Sequence, residues 1–273
     1  MLNIVDVGKK YGSMSTSSIS YDNLTVEDKV YLVEQYGSNV LDLREIELTD
    51  YIRRELFDRH RLAMAHDAGF DHRKIFMANQ EKKDGSYFEL TRDFVDATFD
   101  GWDFDISEDI LIITDKVPGV VAGHPIADCP VVMVCDAKKN VTALAHCSAE
   151  LIDKKMPMMV VDALQRAYDS KDDDLIAYIS ACAGNDWSYD KYPRWARDRK
   201  LWDGAIKEEN GIFKIDMRRV LVKELSEAGV SMASFSNVDT RTNPNYYSNS
   251  MASSNGGKVL SKAGRNFAGA FYE

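Results

Sequence analysis

The chain of 273 residues has the composition of a folded globular protein, with 45% hydrophobic and 29% charged residues, rather than that of a disordered one. It carries 44 acidic against 34 basic side chains, a net charge of −10. This balance disfavours nucleic acid or an anionic membrane as the main partner, because phosphate binding requires a basic surface. The length is sufficient for a large core, and we expect one domain over residues 1–273.

The sequence favours a cytoplasmic protein with free thiols. It begins without a long apolar segment and contains no run of 18 apolar residues, so neither a signal peptide nor a transmembrane helix is expected. The cysteines form no CxxC pair, and a chain with an ample core does not need disulfides for stability. They are Cys129, Cys135, Cys147 and Cys182.

Three helices are predicted from apolar residues at helical spacing and from their end signals. Thr49 is a good N-cap for the first helix, and Gly69 provides its C-terminal stop. Pro157 fits the first turn of the second helix, where a missing N–H costs little. The predicted helices are Thr49–His66, Met156–Tyr168 and Asp216–Ala228.

Short apolar runs between these helices predict β-strands. They are Ile110–Thr114, Pro130–Cys135, Val141–Cys147, Leu175–Ser180 and Val230–Phe235. Gly12–Ser20 and Asn243–Gly257, rich in Ser, Thr and Asn, are interpreted as loops. Strands and helices mixed at this spacing indicate a layered α/β or α+β fold.

A predicted hairpin at the centre of the chain carries the most informative residues. The polar stretch Asp136–Asn140 separates two apolar strands, and pairing around its centre places Val131 opposite His146. Cys129 then lies on the same face, two residues further along, and a register shift of two would place it directly opposite His146. The polar residues of this mainly apolar hairpin gather at one end: Asp128, Cys129, His146 and Ser148.

A cysteine and a histidine at a strand end are compatible with two chemistries. A thiolate and an imidazole are good zinc ligands when a further ligand is present. The same pair without metal forms a nucleophilic thiol with its base. A third interpretation is that Cys129 and His146 are packing residues, which is the commonest role of a lone cysteine.

At these residues the sequence resembles the laccase-domain family, also called multicopper polyphenol oxidoreductases or peptidoglycan editing factors. ADCP at Ala127–Pro130 and LAH at Leu144–His146 stand in place of the family's central motifs. Further matches follow in the family's order along the chain. They are NQEKKDG at Asn79–Gly85, SACAG at Ser180–Gly184, IDMRRVLVKELSEAGV at Ile215–Val230, NPNYYS at Asn243–Ser248 and AGRNFA at Ala263–Ala268.

The resemblance implies a single layered α/β sandwich domain of the laccase-domain type, similar to cytotoxic necrotising factors. It also implies a purine nucleoside or nucleotide as the small-molecule partner, since members include enzymes described as purine nucleoside phosphorylases with adenosine deaminase activity. A multicopper oxidase activity is disfavoured because the chain has only 5 histidines.

The sequence departs from the family at the residues that bind zinc and phosphate. The family binds zinc through one Cys and two His, and the first His falls here in Gln80–Lys83, where we expect Lys82. A protonated lysine has no lone pair for a metal. The family's Trp and Arg after the second His are replaced by Ala149 and Glu150, and a later pair of arginines by Asn249 and Ser250. These changes remove positive charge that would bind phosphate.

Three functional hypotheses remain open. The preferred one is a zinc-dependent enzyme that phosphorolyses, hydrolyses or deaminates purine nucleosides, with His124 completing a site of Cys129 and His146. In the second, Cys129 attacks a carboxamide without metal, His146 is its base and a nearby Thr or Asp orients the His, as in chemotaxis deamidases of similar fold. In the third, catalysis is lost and the pocket binds a nucleoside or nucleotide.

The resemblance, with His124 as a substitute for the missing family histidine, also suggests the remaining site residues. We expect Cys129, His146 and Asp128 to be catalytic, and zinc to bind Cys129, His146 and His124. Substrate contacts are expected from Cys182, Tyr189, Ser248, Arg265 and Lys82.

Two further features have several interpretations. The aromatic and basic segment Trp187–Trp202 is either a lid or base-stacking surface, or a surface insertion packed on the core. His60 and His66 lie on the first predicted helix and are expected to be surface or capping residues.

Overall fold

The structure is a computed structural model that describes residues 1–15, 19–20, 23–36, 48–103, 105–184, 187–254 and 264–273. The strands in these ranges are β1 (Leu2–Val7), β2 (Ile75–Phe76), β3 (Tyr87–Glu89), β4 (Ile110–Thr114), β5 (Val121–Ile126), β6 (Val131–Asp136), β7 (Val141–His146), β8 (Leu175–Ile179), β9 (Ser188–Tyr189), β10 (Ile206–Glu209), β11 (Ile212–Ile215), β12 (Met232–Phe235) and β13 (Asn266–Tyr272). The helices are α1 (Val26–Tyr36), α2 (Asp50–Ala68), α3 (Arg92–Ala97), α4 (Ala149–Asp153), α5 (Met156–Tyr168), α6 (Met217–Glu227) and α7 (Asn249–Ser254).

A six-stranded sheet in the order β12-β8-β6-β7-β4-β3 contains the predicted hairpin. β6 and β7 pair antiparallel from Val131 opposite His146 to Asp136 opposite Val141, so the predicted register is confirmed. All six side chains of β6 are buried, because the sheet is covered on both faces.

A four-stranded sheet in the order β1-β13-β5-β2 packs against one face of the six-stranded sheet. In this sheet β5 pairs antiparallel with β13, and His124 lies opposite Ala268. The two strands approach closely at Gly123 and Gly269, which pair with each other. A Cβ atom added at Gly123 would lie 2.4 Å from the ring of Phe267, so this close approach requires glycine.

Successive side chains along the central strands point to opposite faces of the sheet, and the fold therefore has four layers. Val131 and Met133 point into the core between the two sheets, whereas Val132 and Val134 point into the core beneath α5 and α6. On the outer side of the four-stranded sheet, Met64 of α2 packs against β2, β5 and β13. The layers are therefore helix, sheet, sheet and helix, and this layered α/β sandwich confirms the predicted fold class.

The helix signals in the sequence are confirmed by the observed ends. The Thr49 hydroxyl accepts the N–H of Ile52, and Gly69 adopts the left-handed conformation with φ 80°. α5 spans the predicted residues with Pro157 in its first turn. Asp216, placed inside the third predicted helix, is instead its N-cap and accepts the N–H of Arg219.

Some expectations about polar segments were wrong. His60 is buried, with its imidazole between the Ser13 carbonyl and the Asp28 carboxylate, both at 2.9 Å, whereas His66 is exposed as expected. The predicted loop Asn243–Gly257 contains α7, and residues 16–18 of the other predicted loop lie outside the described residues. In the described part of the chain, no helix combines the length and apolar character that crossing a bilayer requires.

The aromatic segment packs on the core rather than over an open pocket. Trp187 stacks on Trp195 with ring centroids 5.6 Å apart, and Trp202 is almost fully buried. These side chains contact the helix-side core beneath α5 and α6. The packing interpretation of this segment is the one that the geometry favours.

Candidate functional site

The candidate site lies where the hairpin ends at the boundary between the two sheets. His146 ends β7 on the face of Val131, and His124 of β5 approaches it with ring centroids 6.1 Å apart. Cys129, a partly exposed residue, lies just before β6, with its sulfur near the Ala149 N–H. The topology therefore brings the predicted Cys and His to one end of the sandwich.

A glutamine amide holds the imidazole of His146 in one orientation. Gln80 Nε2 donates to the backbone carbonyl of His146 at 2.8 Å, which fixes which end of the amide is oxygen. Gln80 Oε1 lies 3.1 Å from His146 Nδ1, so Nδ1 must carry the proton and donate it. The lone pair of His146 therefore resides on Nε2, where it is available as a base.

The loop that carries Gln80 is anchored by Asp109. The buried Asp109 carboxylate accepts three consecutive backbone N–H groups, those of residues 83–85, at 2.7–2.9 Å. Lys82 Nζ pairs with the Glu108 carboxylate at 2.6 Å. Gln80, and not Lys82, is thus the residue of this segment that contacts His146, which corrects the expectation for Lys82.

Burial sets the resting protonation of the site. Loss of solvation raises the pKa of the Cys129 thiol to about 11, and the neighbouring Asp128 carboxylate adds to this rise. Loss of solvation also lowers the pKa of His146 to about 4 and that of His124 to about 3. Near pH 7 the site therefore holds a neutral thiol and two neutral imidazoles. Arg265 lies close enough to lower the pKa of both Cys129 and His146.

Asp128 organises the loops around the thiol. Its Oδ1 accepts the Thr240 hydroxyl at 2.8 Å, and its Oδ2 accepts the Ser250 N–H at 2.6 Å. The buried carboxylate thus joins two distant chain segments directly beside Cys129. Both oxygens are engaged within the protein, so the geometry gives Asp128 a positioning role rather than the catalytic role expected for it.

The other expected substrate contacts lie in different surroundings. Cys182 is fully buried, which raises the pKa of its thiol to about 12, and it cannot meet a substrate without rearrangement. Tyr189 packs against Trp187 with ring centroids 5.6 Å apart. The Ser248 hydroxyl accepts the Met251 N–H at 3.2 Å, at the beginning of α7. Of this set, Arg265 is the residue that the structure places beside Cys129.

The zinc site expected at Cys129, His146 and His124 stays a prediction. Within the described residues, no three His, Cys, Asp or Glu side chains are grouped as metal ligands. Nδ1 of His146 is engaged by Gln80, and Nε2 of the buried His124 has no hydrogen-bond partner. A zinc centre requires at least three converging donors, and the described residues contain no such group.

The role of Gln80 can be tested directly. In the carboxamide hydrolysis hypothesised for Cys129 and His146, Gln80→Ala should lower the turnover number by about ten- to a hundredfold, because His146 loses the acceptor that fixes its tautomer. Glu81→Ala, an exposed neighbour, is the matched control. Steady-state kinetics and a thermal melt measure the effect, and unchanged turnover in folded Gln80→Ala would show that the amide does not orient the base.

The fold is similar to that of three solved proteins. The Bacillus licheniformis hypothetical protein YfiH matches with a TM-score of 0.64 and 16% identity, over 80% of this chain and 82% of that chain. YlmD from Geobacillus stearothermophilus matches with a TM-score of 0.66 and 16% identity, over 81% of each chain. A Neisseria meningitidis protein of the family model DUF152 matches with a TM-score of 0.60 and 16% identity, over 80% of this chain and 82% of that chain.

A search of curated proteins finds no match. The family model described as multi-copper polyphenol oxidoreductase laccase matches residues 53–266, which is well over half of the chain. The matched range contains Gln80, Cys129 and His146. The chain therefore belongs to this laccase-domain family, as the motifs of its sequence suggested.

Proposed function

We propose that this protein hydrolyses a carbon–nitrogen bond of a small carboxamide or amidine, with Cys129 as nucleophile and His146 as general base. The observation that carries the proposal is the Gln80 amide on His146, which leaves Nε2 of the imidazole unprotonated. An imidazole oriented by a side-chain amide is the arrangement that cysteine hydrolases with a Cys-His-Asn set use.

The reaction balances with water as the second substrate. His146 Nε2 accepts the proton of the Cys129 thiol while the sulfur forms a bond to the substrate carbon. The protonated imidazole then donates this proton to the leaving nitrogen, and ammonia departs from the tetrahedral intermediate. This leaves a thioester on Cys129 when the substrate is a carboxamide, and a thioimidate when it is an amidine. Water, deprotonated by His146, then adds to the same carbon and the carbon–sulfur bond breaks. The imidazolium returns the proton to the sulfur, and the product is an acid from a carboxamide or a carbonyl amide from an amidine.

The resting protonation states favour general-base catalysis over a preformed ion pair. The pKa values of about 11 for Cys129 and about 4 for His146 mean that a thiolate–imidazolium pair is a minor state near pH 7. A serine hydroxyl, a weaker acid than this thiol, is activated by a neutral histidine in the same manner in serine hydrolases. The proton therefore transfers as the substrate bond forms.

Purine nucleosides enter this proposal as one substrate class. The amino group of adenine is bonded to an amidine-type carbon, so deamination of an adenosine-like substrate is hydrolysis of such a bond. Phosphorolysis receives less support, because Glu150 is exposed in α4 and Ser250 uses its N–H to bind Asp128. The zinc-dependent reaction and binding without turnover stay predictions.

The decisive experiment measures ammonia release from a panel of carboxamides and from adenosine. The protein is assayed with and without a metal chelator. We expect ammonia release from at least one substrate, and we expect the chelator to leave this release unchanged. When the reaction is quenched with acid, mass spectrometry should detect a covalent adduct on Cys129. Turnover that disappears with the chelator and returns with zinc would favour the metal-dependent hypothesis instead.

A further inference from the structure

Arg241 carries a cationic group without a hydrogen-bond acceptor, on the segment that Thr240 fixes to Asp128. Its Nε and Nη1 atoms are buried and have no hydrogen-bond partner. Its Nη2 reaches only the sulfur of Met251, at 3.7 Å, and a thioether is a weak acceptor. Within the described ranges no carboxylate forms an ion pair with this guanidinium. Buried N–H groups without acceptors are costly, so such a group indicates a missing anionic partner.

The position of Arg241 is set by the two segments that Asp128 joins. Thr240, the preceding residue, donates to Asp128 Oδ1, and Ser250 donates its N–H to Asp128 Oδ2. The Arg241 side chain extends from the first segment to Met251, the residue after Ser250. It therefore spans the gap between two segments that are both fixed to the residue preceding Cys129.

The Asp239 carboxylate, two residues before Arg241, forms no ion pair with the Arg241 guanidinium. Asp239 Oδ1 accepts the backbone N–H groups of Gly184 and Arg241, both at 2.9 Å. Arg218, on the other side of the same segment, donates to the Val238 carbonyl, and its buried Nε also has no partner. Arg218 of α6 and Arg241 thus both carry N–H groups without an acceptor next to residues 238–241.

We propose that Arg241 binds an anionic group, a carboxylate or a phosphate, of the substrate whose carbon–nitrogen bond Cys129 attacks. The proposal rests on the proposed function for the identity of the reacting bond, but not for the binding of the anion. The guanidinium offers paired N–H donors that match the two oxygens of either anion. The preferred substrates are then acidic carboxamides or nucleoside phosphates rather than neutral compounds.

Anion binding is tested in the Cys129→Ala variant, where turnover cannot interfere. Inorganic phosphate and acetate are titrated at constant ionic strength, and the dissociation constant is followed by calorimetry and by the thermal midpoint. We expect one of the two anions to bind and to raise the midpoint. Adding Arg241→Met should weaken this binding about ten- to a hundredfold, and Arg241→Lys, which keeps the charge but not the paired donors, should weaken it less. Which anion binds identifies the substrate group.

Arg194→Met removes an exposed arginine of the aromatic segment and is the matched control, expected to keep full binding. Equal binding with and without Arg241, or no binding of either anion to folded protein, would overturn the proposal. In the wild-type protein, acidic substrates should lose catalytic efficiency in Arg241→Met while neutral ones do not. Anion binding without any ammonia release would instead contradict the proposed function and leave the anion site intact.

Discussion

Turnover is expected to fall by at least about a thousandfold in Cys129→Ala, because the variant lacks the sulfur that forms the covalent intermediate. The substitution removes a partly exposed thiol and should leave the fold intact. Cys135→Ala is the matched control: Cys135 lies on the same strand pair, but its sulfur is buried 3.7 Å from the Tyr272 hydroxyl. A Cys129→Ala protein with full activity would exclude the nucleophile.

The pH dependence gives a second measurement of the same mechanism. His146 must be unprotonated to accept the thiol proton, and its pKa is lowered to about 4. Activity should therefore rise as the pH passes through about 4 and then remain level through neutrality. Alkylation of Cys129 in the absence of substrate should be slow at pH 7 and accelerate towards pH 11, because the thiol pKa is raised to about 11.

Gln80→Glu distinguishes orientation of the base from its protonation. A carboxylate at this position still accepts the Nδ1 proton, but it also stabilises the imidazolium and raises the pKa of His146. The low-pH limb of the activity profile should move to higher pH in this variant and stay in place in Gln80→Ala. A limb that stays in place in both variants would mean that another group controls the profile.

The hairpin that carries the site was predictable because its signals are local. A polar turn between two apolar strands fixes the pairing, and alternation then assigns His146 and Cys147 to opposite faces. The caps of α2 and α6 are equally local, since Thr49 and Asp216 act on N–H groups only three residues away. Such features require no knowledge of the remaining chain.

The partners of the site were not predictable in the same way. Gln80 contacts His146 because a loop anchored on Asp109 returns to the end of β7. The spacing of these residues in the sequence does not predict this contact. The strand β13 contains Gly269 and small alanines, so its apolar signal is weak, and its place is fixed by pairing with β1 and β5. Contacts between residues far apart in the chain depend on packing that sequence patterns do not encode locally.

The burial of His60 was also not predictable, because it depends on segments that are distant in the chain. A histidine among charged residues on a helix resembles a surface residue, yet it binds Asp28 of α1 and the carbonyl of Ser13. The backbone next to Ser13 lies directly against the His60 ring, because a Cβ atom added at Gly12 would be 2.3 Å from that ring. The burial of His60 is thus a consequence of α1 and the N-terminal segment covering α2.

Replacing Glu224 by glutamine is expected to stabilise the protein at high pH and to have little effect at low pH. Glu224 lies on α6 with no exposed surface, and neither of its carboxylate oxygens has a hydrogen-bond partner. The Lys155 Nζ atom approaches only to 3.8 Å and also pairs with Asp198 at 3.2 Å. Loss of solvation therefore raises the pKa of Glu224 to about 8.

The sign of the effect follows from proton linkage. In the unfolded chain Glu224 ionises near its ordinary pKa of 4.5, whereas in the folded protein it stays protonated until the pH approaches about 8. The free energy of unfolding therefore decreases as the pH rises between these values and is lowest above pH 8. The loss is on the order of a few kcal/mol, since one unit of pKa corresponds to about 1.4 kcal/mol.

Denaturant unfolding at pH 5 and pH 9 measures this difference. Glu224→Gln should match the wild-type free energy of unfolding at pH 5 and exceed it at pH 9, while Glu208→Gln, exposed on β10, should change neither. Glu224→Met also removes the polar atoms, which no hydrogen bond satisfies, from a site bordered by Val220 and Leu225 of the apolar core. It should be more stable than Glu224→Gln at both pH values, because an amide in this position would leave donors and an acceptor buried without partners. If Glu224→Gln were less stable than the wild type at pH 9, the ionised carboxylate would be a net stabilising partner of Lys155 rather than an unsolvated charge.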